Sequence, residues 1–173
     1  MNDQSFTVNC IIHNSIYALM IILGSGIFLA GSGLTAAGII FSLIYFVYGI
    51  LGSLWIILFM CPHCMLYNSR KCPCGYGVIS GKLRNRGDHS LFREKFRKHI
   101  PVIVPLWFIP SAAGVLYLIS EYSHIMLVLL ILFCIQAFLI LPLYSKYHGC
   151  RDCPQKEECS WMKQQTHNAG NKE

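Results

Sequence analysis

The chain has 173 residues, of which 54% are hydrophobic and only 13% are charged, and its formal net charge is +6. This composition leaves too little polar surface to cover a soluble globule of this size, which excludes an ordinary water-soluble domain. No Asp, Glu, Lys or Arg occurs between Gln4 and Ser69, a stretch long enough for two membrane crossings. The composition therefore indicates an integral membrane protein.

Four apolar segments each contain about 20 residues, the number that crosses a hydrocarbon core of about 30 Å. They cover residues 10–31, 35–60, 100–119 and 125–145. Only residues 32–34 and 120–124 separate the members of each pair, so each pair is predicted to form an antiparallel helical hairpin. The predicted fold class is an all-α membrane protein with four transmembrane helices as two hairpins and a cysteine-rich cytoplasmic cap.

Basic residues are confined to two segments of the chain. Nine lie within residues 70–98 and five within residues 146–172. Four crossings place both segments on the side of the N-terminus, and the positive-inside rule predicts that this side is cytoplasmic. The chain is thus predicted to lie in the cell membrane with both termini in the cytoplasm. Four parts follow: a first transmembrane hairpin (1–60), a cysteine-rich basic cytoplasmic loop with an interfacial helix (61–99), a second transmembrane hairpin (100–145) and a cysteine-containing cytoplasmic tail (146–173).

The end of the basic loop, residues 88–99, has the pattern of a short helix in the membrane interface. Leu91, Phe92 and Phe96 share one helical face, and basic side chains occupy the opposite face. Such a basic face binds anionic lipid head groups or an acidic protein surface. We expect membrane lipid and a protein partner in a larger membrane complex, and no nucleic acid.

Seven of the nine cysteines follow predicted membrane spans in two clusters. The first, CPHCMLYNSRKCPC, supplies Cys61, Cys64, Cys72 and Cys74, and the second, HGCRDCPQKEEC, supplies Cys150, Cys153 and Cys159 with His148 beside them. A C-x2-C pair places two thiolates on one tight turn, as metal sites require. Because reducing cytoplasmic buffers disfavour disulfides, the clusters are predicted to bind metal. The second cluster has three cysteines, so His148, His63 or an outside ligand would complete its site. A split site that uses Cys61, Cys64, Cys150 and Cys153 is left open.

The metal is predicted to be an iron-sulfur cluster, with zinc as the alternative. The segment CRDCPQKEEC resembles the start of the auxiliary-cluster motif in the SPASM domains of radical enzymes, which implies iron-sulfur binding. Zinc fits four thiolates with this spacing, and a bound zinc would link the two hairpins. The first functional hypothesis is a small membrane redox subunit that passes electrons to or from the membrane. The second is a non-catalytic membrane anchor or assembly protein with a structural zinc site.

A third hypothesis is a membrane thiol-disulfide oxidoreductase. The tetrapeptide from Cys61 to Cys64, CPHC, resembles the active site of the DsbA thiol oxidases. A four-helix membrane chain with two cysteine pairs also resembles the DsbB and VKOR class of quinone-coupled disulfide enzymes. These enzymes present their cysteines to the oxidising side of the membrane, whereas the basic residues place the cysteines of this chain on the opposite side.

Few other residues suggest a binding or catalytic role. His99 and Trp107 are predicted to contact a quinone head group at the interface, whereas Cys10 and Cys134 are interpreted as small apolar side chains of the spans. The sequence has no P-loop, dinucleotide glycine motif, H-E-x-x-H or serine nucleophile elbow. Catalytic residues therefore stay unknown, and an electron-transfer or accessory subunit is favoured over a stand-alone enzyme.

Prolines and glycines in the spans are expected to serve packing. Pro105 and Pro110 free backbone carbonyls in the third segment, because a proline has no N–H to donate to them. Gly49 and Gly114 are expected to let helices approach closely.

Overall fold

The computed structural model describes residues 3–150 and 153–154. These residues form helices and turns, and none of them is in a strand. Four helical segments are long and apolar enough to cross a membrane: Gln4–Gly31, Ala36–His63, His89–Ser120 and His124–His148. The prediction of an all-α chain with four candidate membrane spans is confirmed. The hairpin pairing, the cysteine cap, the four-part division and the cytoplasmic termini stay predictions.

The helices follow one another with short connections. In chain order they are α1 (Asp3–Gly31), α2 (Ala36–Phe59), α3 (Tyr76–Leu83), α4 (Phe92–His99), α5 (Pro105–Ser120), α6 (His124–Cys134) and α7 (Leu141–Tyr144). Three 3-10 turns lie at Cys61–His63, His89–Leu91 and Ile100–Val102. Two π-helical segments, Ile135–Ile140 and Ser145–Cys150, flank α7. The first π segment precedes Pro142, which cannot donate to the carbonyl four residues back, so widening of the helix there is expected.

Contacts divide the chain into two compact units. The loop unit gathers the described parts of Met1–His13, Leu54–Pro101 and Leu143–Glu173, and the helix unit gathers Asn14–Ser53 and Val102–Pro142. Each unit therefore combines segments that are distant in the sequence.

The helix unit has an apolar core and an apolar surface. Met20, Ile27, Leu106 and Phe133 are fully buried in it. Many large apolar side chains remain exposed, including Ile125, which is 70% accessible. So many exposed apolar side chains are unfavourable in water and suit contact with lipid.

Glycines bring the helices of this unit close together, as predicted. A Cβ on Gly49 of α2 would lie 2.6 Å from the Ile21 side chain of α1, and one on Gly114 of α5 would lie 2.9 Å from Leu130 of α6. A hydrogen bond from the Tyr17 hydroxyl to the carbonyl of Gly49 (2.9 Å) adds a polar tie between α1 and α2.

Two tyrosines of α2 satisfy carbonyls that the prolines leave without their helical donors. Pro110 cannot bond to the carbonyl of Leu106, which instead accepts from the Tyr45 hydroxyl at 2.9 Å. The carbonyl of Val102 accepts from Tyr48. The N–H of Leu106 donates to the carbonyl of Ile103 instead, and Pro105, three residues after Val102, has no N–H to donate. Tyr45 and Tyr48 are three residues apart, so they share one face of α2. An apolar medium makes such satisfaction necessary, because no water is present to replace the missing donors.

Candidate metal-thiolate centre

The CPHC motif forms a tight turn directly after α2. Pro62 lies at the start of a 3-10 turn, and the N–H of Cys64 donates to the carbonyl of Cys61 at 3.1 Å. The next turn directs the N–H of Leu66 at the sulfur of Cys64, 3.4 Å away. The predicted placement of both thiols on one turn therefore agrees with the geometry.

The second pair of cysteines leads into α3. Gly75 adopts a left-handed conformation (φ +76°), which a glycine takes without strain, and it ends the CPC segment. The N–H of Gly77, in the first turn of α3, donates to the Cys72 sulfur at 3.4 Å. Cys72 and Cys74 are in sulfur-to-sulfur contact at the same distance, 3.4 Å. The start of α3 thus positions the second pair of thiols.

The loop brings all four of these thiols into one neighbourhood. Cys61 interacts electrostatically with Cys64 and Cys72, and Cys74 interacts with Cys61. None of the four is in a disulfide bond. A fifth thiol, that of Cys10 in α1, interacts with Cys72.

The interpretation of Cys10 as an apolar filler missed this contact. Its sulfur lies only 3.0 Å from the position that a Cβ on Gly75 would occupy, so Gly75 leaves room for it. The sequence signal that could have revealed it is topological. Cys10 begins the first predicted span on the side of the N-terminus, and the cysteine loop was predicted on that same side of the membrane.

Hydrogen bonds set the ionisation of the second pair. The pKa of Cys72 is lowered to about 6, chiefly because the thiol of Cys74 donates to it and secondarily because backbone N–H groups, including that of Gly77, point at its sulfur. The pKa of Cys74 is raised, since its proton is held by the Cys72 sulfur and the side chain is buried. The contact therefore favours the thiolate form of Cys72, with the shared proton on Cys74.

The thiols are close together without forming a finished metal site. Among the described residues, no three His, Cys, Asp or Glu side chains are arranged to hold a metal ion. Sulfurs bound to one tetrahedral zinc at about 2.3 Å are about 3.8 Å apart, whereas Cys72 and Cys74 are 3.4 Å apart in their mutual hydrogen bond. Metal binding would separate this pair by a few tenths of an ångström and remove its proton.

The second predicted cluster lies mostly outside the described residues. This holds for Cys159 and for the side chain of Cys150, while Cys153 is half-buried and not in a disulfide. The ring of His148 stacks on Tyr144 at 4.6 Å with an angle of 11° between the planes. A role for these four residues as ligands stays a prediction.

The predicted quinone pair falls into different units. His99 belongs to the loop unit, where its ring stacks on Phe59 at 5.2 Å and meets the edge of Trp55 at 5.6 Å. Trp107 belongs to the helix unit, where its indole N–H donates to the carbonyl of Ala137 at 3.1 Å. Their joint contact with a quinone stays a prediction.

A cavity of about 320 Å³ lies beside the CPHC turn within the loop unit. The N–H of Gly87 donates to the carbonyl of Pro62 at 3.0 Å, which ties the segment after α3 to the turn. The residues that line the cavity are Leu58, Phe59, Pro62, His63, Arg84, Asn85, Gly87, Lys95 and His99.

Comparison with known proteins assigns no family to this arrangement. No protein-family model matches the chain, and neither a curated protein nor a solved structure matches it. The function of the cysteine loop must therefore be argued from the residues of the chain itself.

Proposed function

We propose that the chain is a small integral membrane redox subunit that binds an iron-sulfur cluster through its cysteine loop and passes electrons to or from the membrane. The grouping of the four thiols of Cys61, Cys64, Cys72 and Cys74 in one loop is the observation that carries this proposal. Four thiolates complete the ligand set of a single cluster.

The backbone around the sulfurs supports a redox role. The N–H groups of Leu66 and Gly77 donate to the sulfurs of Cys64 and Cys72. Hydrogen bonds to ligand sulfurs stabilise their negative charge, which favours the reduced form of a cluster and raises its potential. A loop that already supplies these donors is suited to holding a reducible centre.

The proposed topology follows from the charges. The two hairpins would place the loop and the tail together in a cytoplasmic cap, with both termini inside. The basic residues of the loop would dock an acidic cytosolic donor in a larger complex. In this arrangement Cys150, Cys153, Cys159 and His148 are ligands of a second centre, or share the first.

A structural zinc site is the second candidate, and the burial of the thiols favours it. Cys72 is only 7% accessible, and Cys61, Cys64 and Cys74 are half-buried. Closed sites with four protein ligands are typical of structural zinc. The protein would then be a membrane anchor or assembly factor, and the metal would fix the fold of the loop.

The test is metal and acid-labile sulfide analysis, with an absorption spectrum, of full-length protein purified without oxygen in mild detergent. C61S and C72S should each lose most of the bound metal, whereas C134S changes a cysteine of α6 and should retain it. Iron with sulfide supports the redox subunit. Zinc alone overturns that proposal in favour of the anchor, and protein without metal overturns both and leaves the thiol-disulfide enzyme to be tested.

A further inference from the structure

We infer that the cavity beside the CPHC turn binds a phosphate group, carried either by an anionic phospholipid or by a soluble phosphate compound. This inference does not depend on the metal. It rests on the charge of the lining, on the contacts that hold Arg84 and the two histidines in place, and on an adjoining apolar wall.

The lining is cationic on one side and apolar on the other. Arg84 and Lys95 are basic residues of the lining, and the imidazoles of His63 and His99 accompany them. None of the described residues that line the cavity is acidic. Leu58 and Phe59, from the end of α2, form the apolar wall. A volume of about 320 Å³ is at the lower end of the range for small-molecule sites.

Arg84 is held in place by contacts on both its main chain and its side chain. The hydroxyl of Tyr67 donates to the carbonyl of Arg84 at 2.6 Å. The guanidinium lies 5.6 Å from the centre of the Phe59 ring, in cation–π range. A guanidinium fixed in this way presents a planar fork of donors, the geometry that matches phosphate oxygens.

The two histidines are also fixed. The Nδ1 atom of His63 lies 2.9 Å from the carbonyl oxygen of Asp88, and since a carbonyl only accepts, Nδ1 carries a proton. Gly87 permits this arrangement, because a Cβ there would lie 2.5 Å from the His63 ring. His99 is stacked on Phe59 and lies within the electrostatic reach of Lys95 and His63.

These features favour an anion over a neutral quinone. Like charges held near one another repel, and a bound anion relieves that repulsion while accepting the donors of Arg84 and Lys95. A quinone head group is neutral and offers two carbonyl oxygens. It would therefore do little to offset the positive charge of the lining. Phosphate combines a full negative charge with several acceptor oxygens, so it matches both the cations and their number of donors.

The experiment measures binding of two probes to the full-length protein in uncharged detergent: dihexanoyl phosphatidylglycerol and inorganic phosphate. The double variant R84Q/K95Q should weaken binding by about tenfold or more, because both charge-assisted contacts are lost. The matched control R93Q/R97Q removes two positive charges from a neighbouring surface that lies outside the cavity. It should change binding by less than about threefold, as expected for screened surface charges. R84K/K95R keeps both charges and should bind more tightly than R84Q/K95Q.

Each outcome decides the question. Binding of the lipid alone, with the expected dependence on Arg84 and Lys95, identifies a lipid head group. Binding of inorganic phosphate with the same dependence identifies a soluble phosphate compound. Equal losses in both double variants would show general attraction of anions, and that result overturns the site, as does absence of binding by either probe. Arg84 is exposed and Lys95 half-buried, so the single variants R84Q and K95Q replace the double variant if it fails to fold. Metal content is measured on the same samples and should not change, which separates this test from that of the metal centre.

Discussion

Replacing Gly77 by alanine should disrupt the cysteine loop. An added Cβ would lie 2.4 Å from the carbonyl oxygen of Leu66, whereas ordinary contacts begin at 3.4 Å. The backbone would have to move by about 1 Å, because a carbonyl of the main chain cannot rotate away as a side chain does. Gly77 also donates to Cys72 and accepts from the N–H of Asn68 at 2.9 Å. Overpacking of this kind costs about 1–3 kcal/mol, and the linked hydrogen bonds place G77A at the upper end of that range.

Two other glycines provide graded controls. A Cβ on Gly81 would lie 2.8 Å from the Cβ of Asn68, which rotation of that side chain cannot move, so G81A should cost about 1–2 kcal/mol, less than G77A, which meets a main-chain carbonyl. Nothing lies within 4 Å of a Cβ on Gly26, and G26A should be neutral or stabilise α1 by up to about 1 kcal/mol.

The assay is thermal unfolding in detergent together with retention of metal against a chelator. A loss of about 2–3 kcal/mol corresponds to a fall in Tm of about 4–12 °C for a chain of this size. If the loop binds metal as proposed, G77A should also release that metal faster than G81A. If G77A matches G26A in both Tm and metal retention, the geometry inferred for the start of α3 is wrong.

Two further predictions concern the helix unit and the second pair of thiols. Tyr45→Phe should cost about 1 kcal/mol, since it leaves the carbonyl of Leu106 without a donor. In a P110A background the alanine N–H supplies that donor, so Tyr45→Phe should become nearly neutral in a double-mutant cycle of thermal stability, and additive costs would contradict the account. In metal-free protein, alkylation of Cys72 by iodoacetamide should increase with pH around a midpoint near 6, because its thiolate predominates above that pH and is protonated below it. Removing the Cys74 donor with C74A should raise the midpoint, as mass spectrometry of labelling across pH would show, and a wild-type midpoint near 9 would refute the proposed hydrogen bond.

The four candidate membrane spans were predictable because a bilayer constrains composition directly. Every residue in the hydrocarbon must be apolar or internally satisfied, so hydropathy alone locates the four segments. The ends were less predictable. The first span was predicted to begin at residue 10, whereas α1 begins at Asp3. A polar first turn can be helical at the membrane interface, because water can bond to its free backbone N–H groups. A search for apolar residues does not detect such a turn.

Contacts between distant parts of the chain could not be predicted from spacing. The sequence indicated that Pro110 would free a carbonyl, but nothing in it identified Tyr45 as the donor. The C-x2-C spacing gave the turn at Cys61, but not the approach of Cys10 to Cys72. Local patterns report turns and spans because those depend on neighbouring residues, whereas partners across the fold depend on how the helices pack.

The CPHC turn contributes residues to both of the proposed sites. Its outer residues, Cys61 and Cys64, belong to the set of four neighbouring cysteines, while Pro62 and His63 line the cationic cavity. His63 was predicted as a ligand that could complete a metal site; its Nδ1 proton is bonded to the carbonyl of Asp88, which leaves Nε2 available, and its ring lines the cavity. Because the two sites use different members of the turn, substitution of Arg84 or Lys95 leaves every thiol in place. Loss of metal and loss of phosphate binding are therefore separable, and each proposal stands or fails by its own measurement.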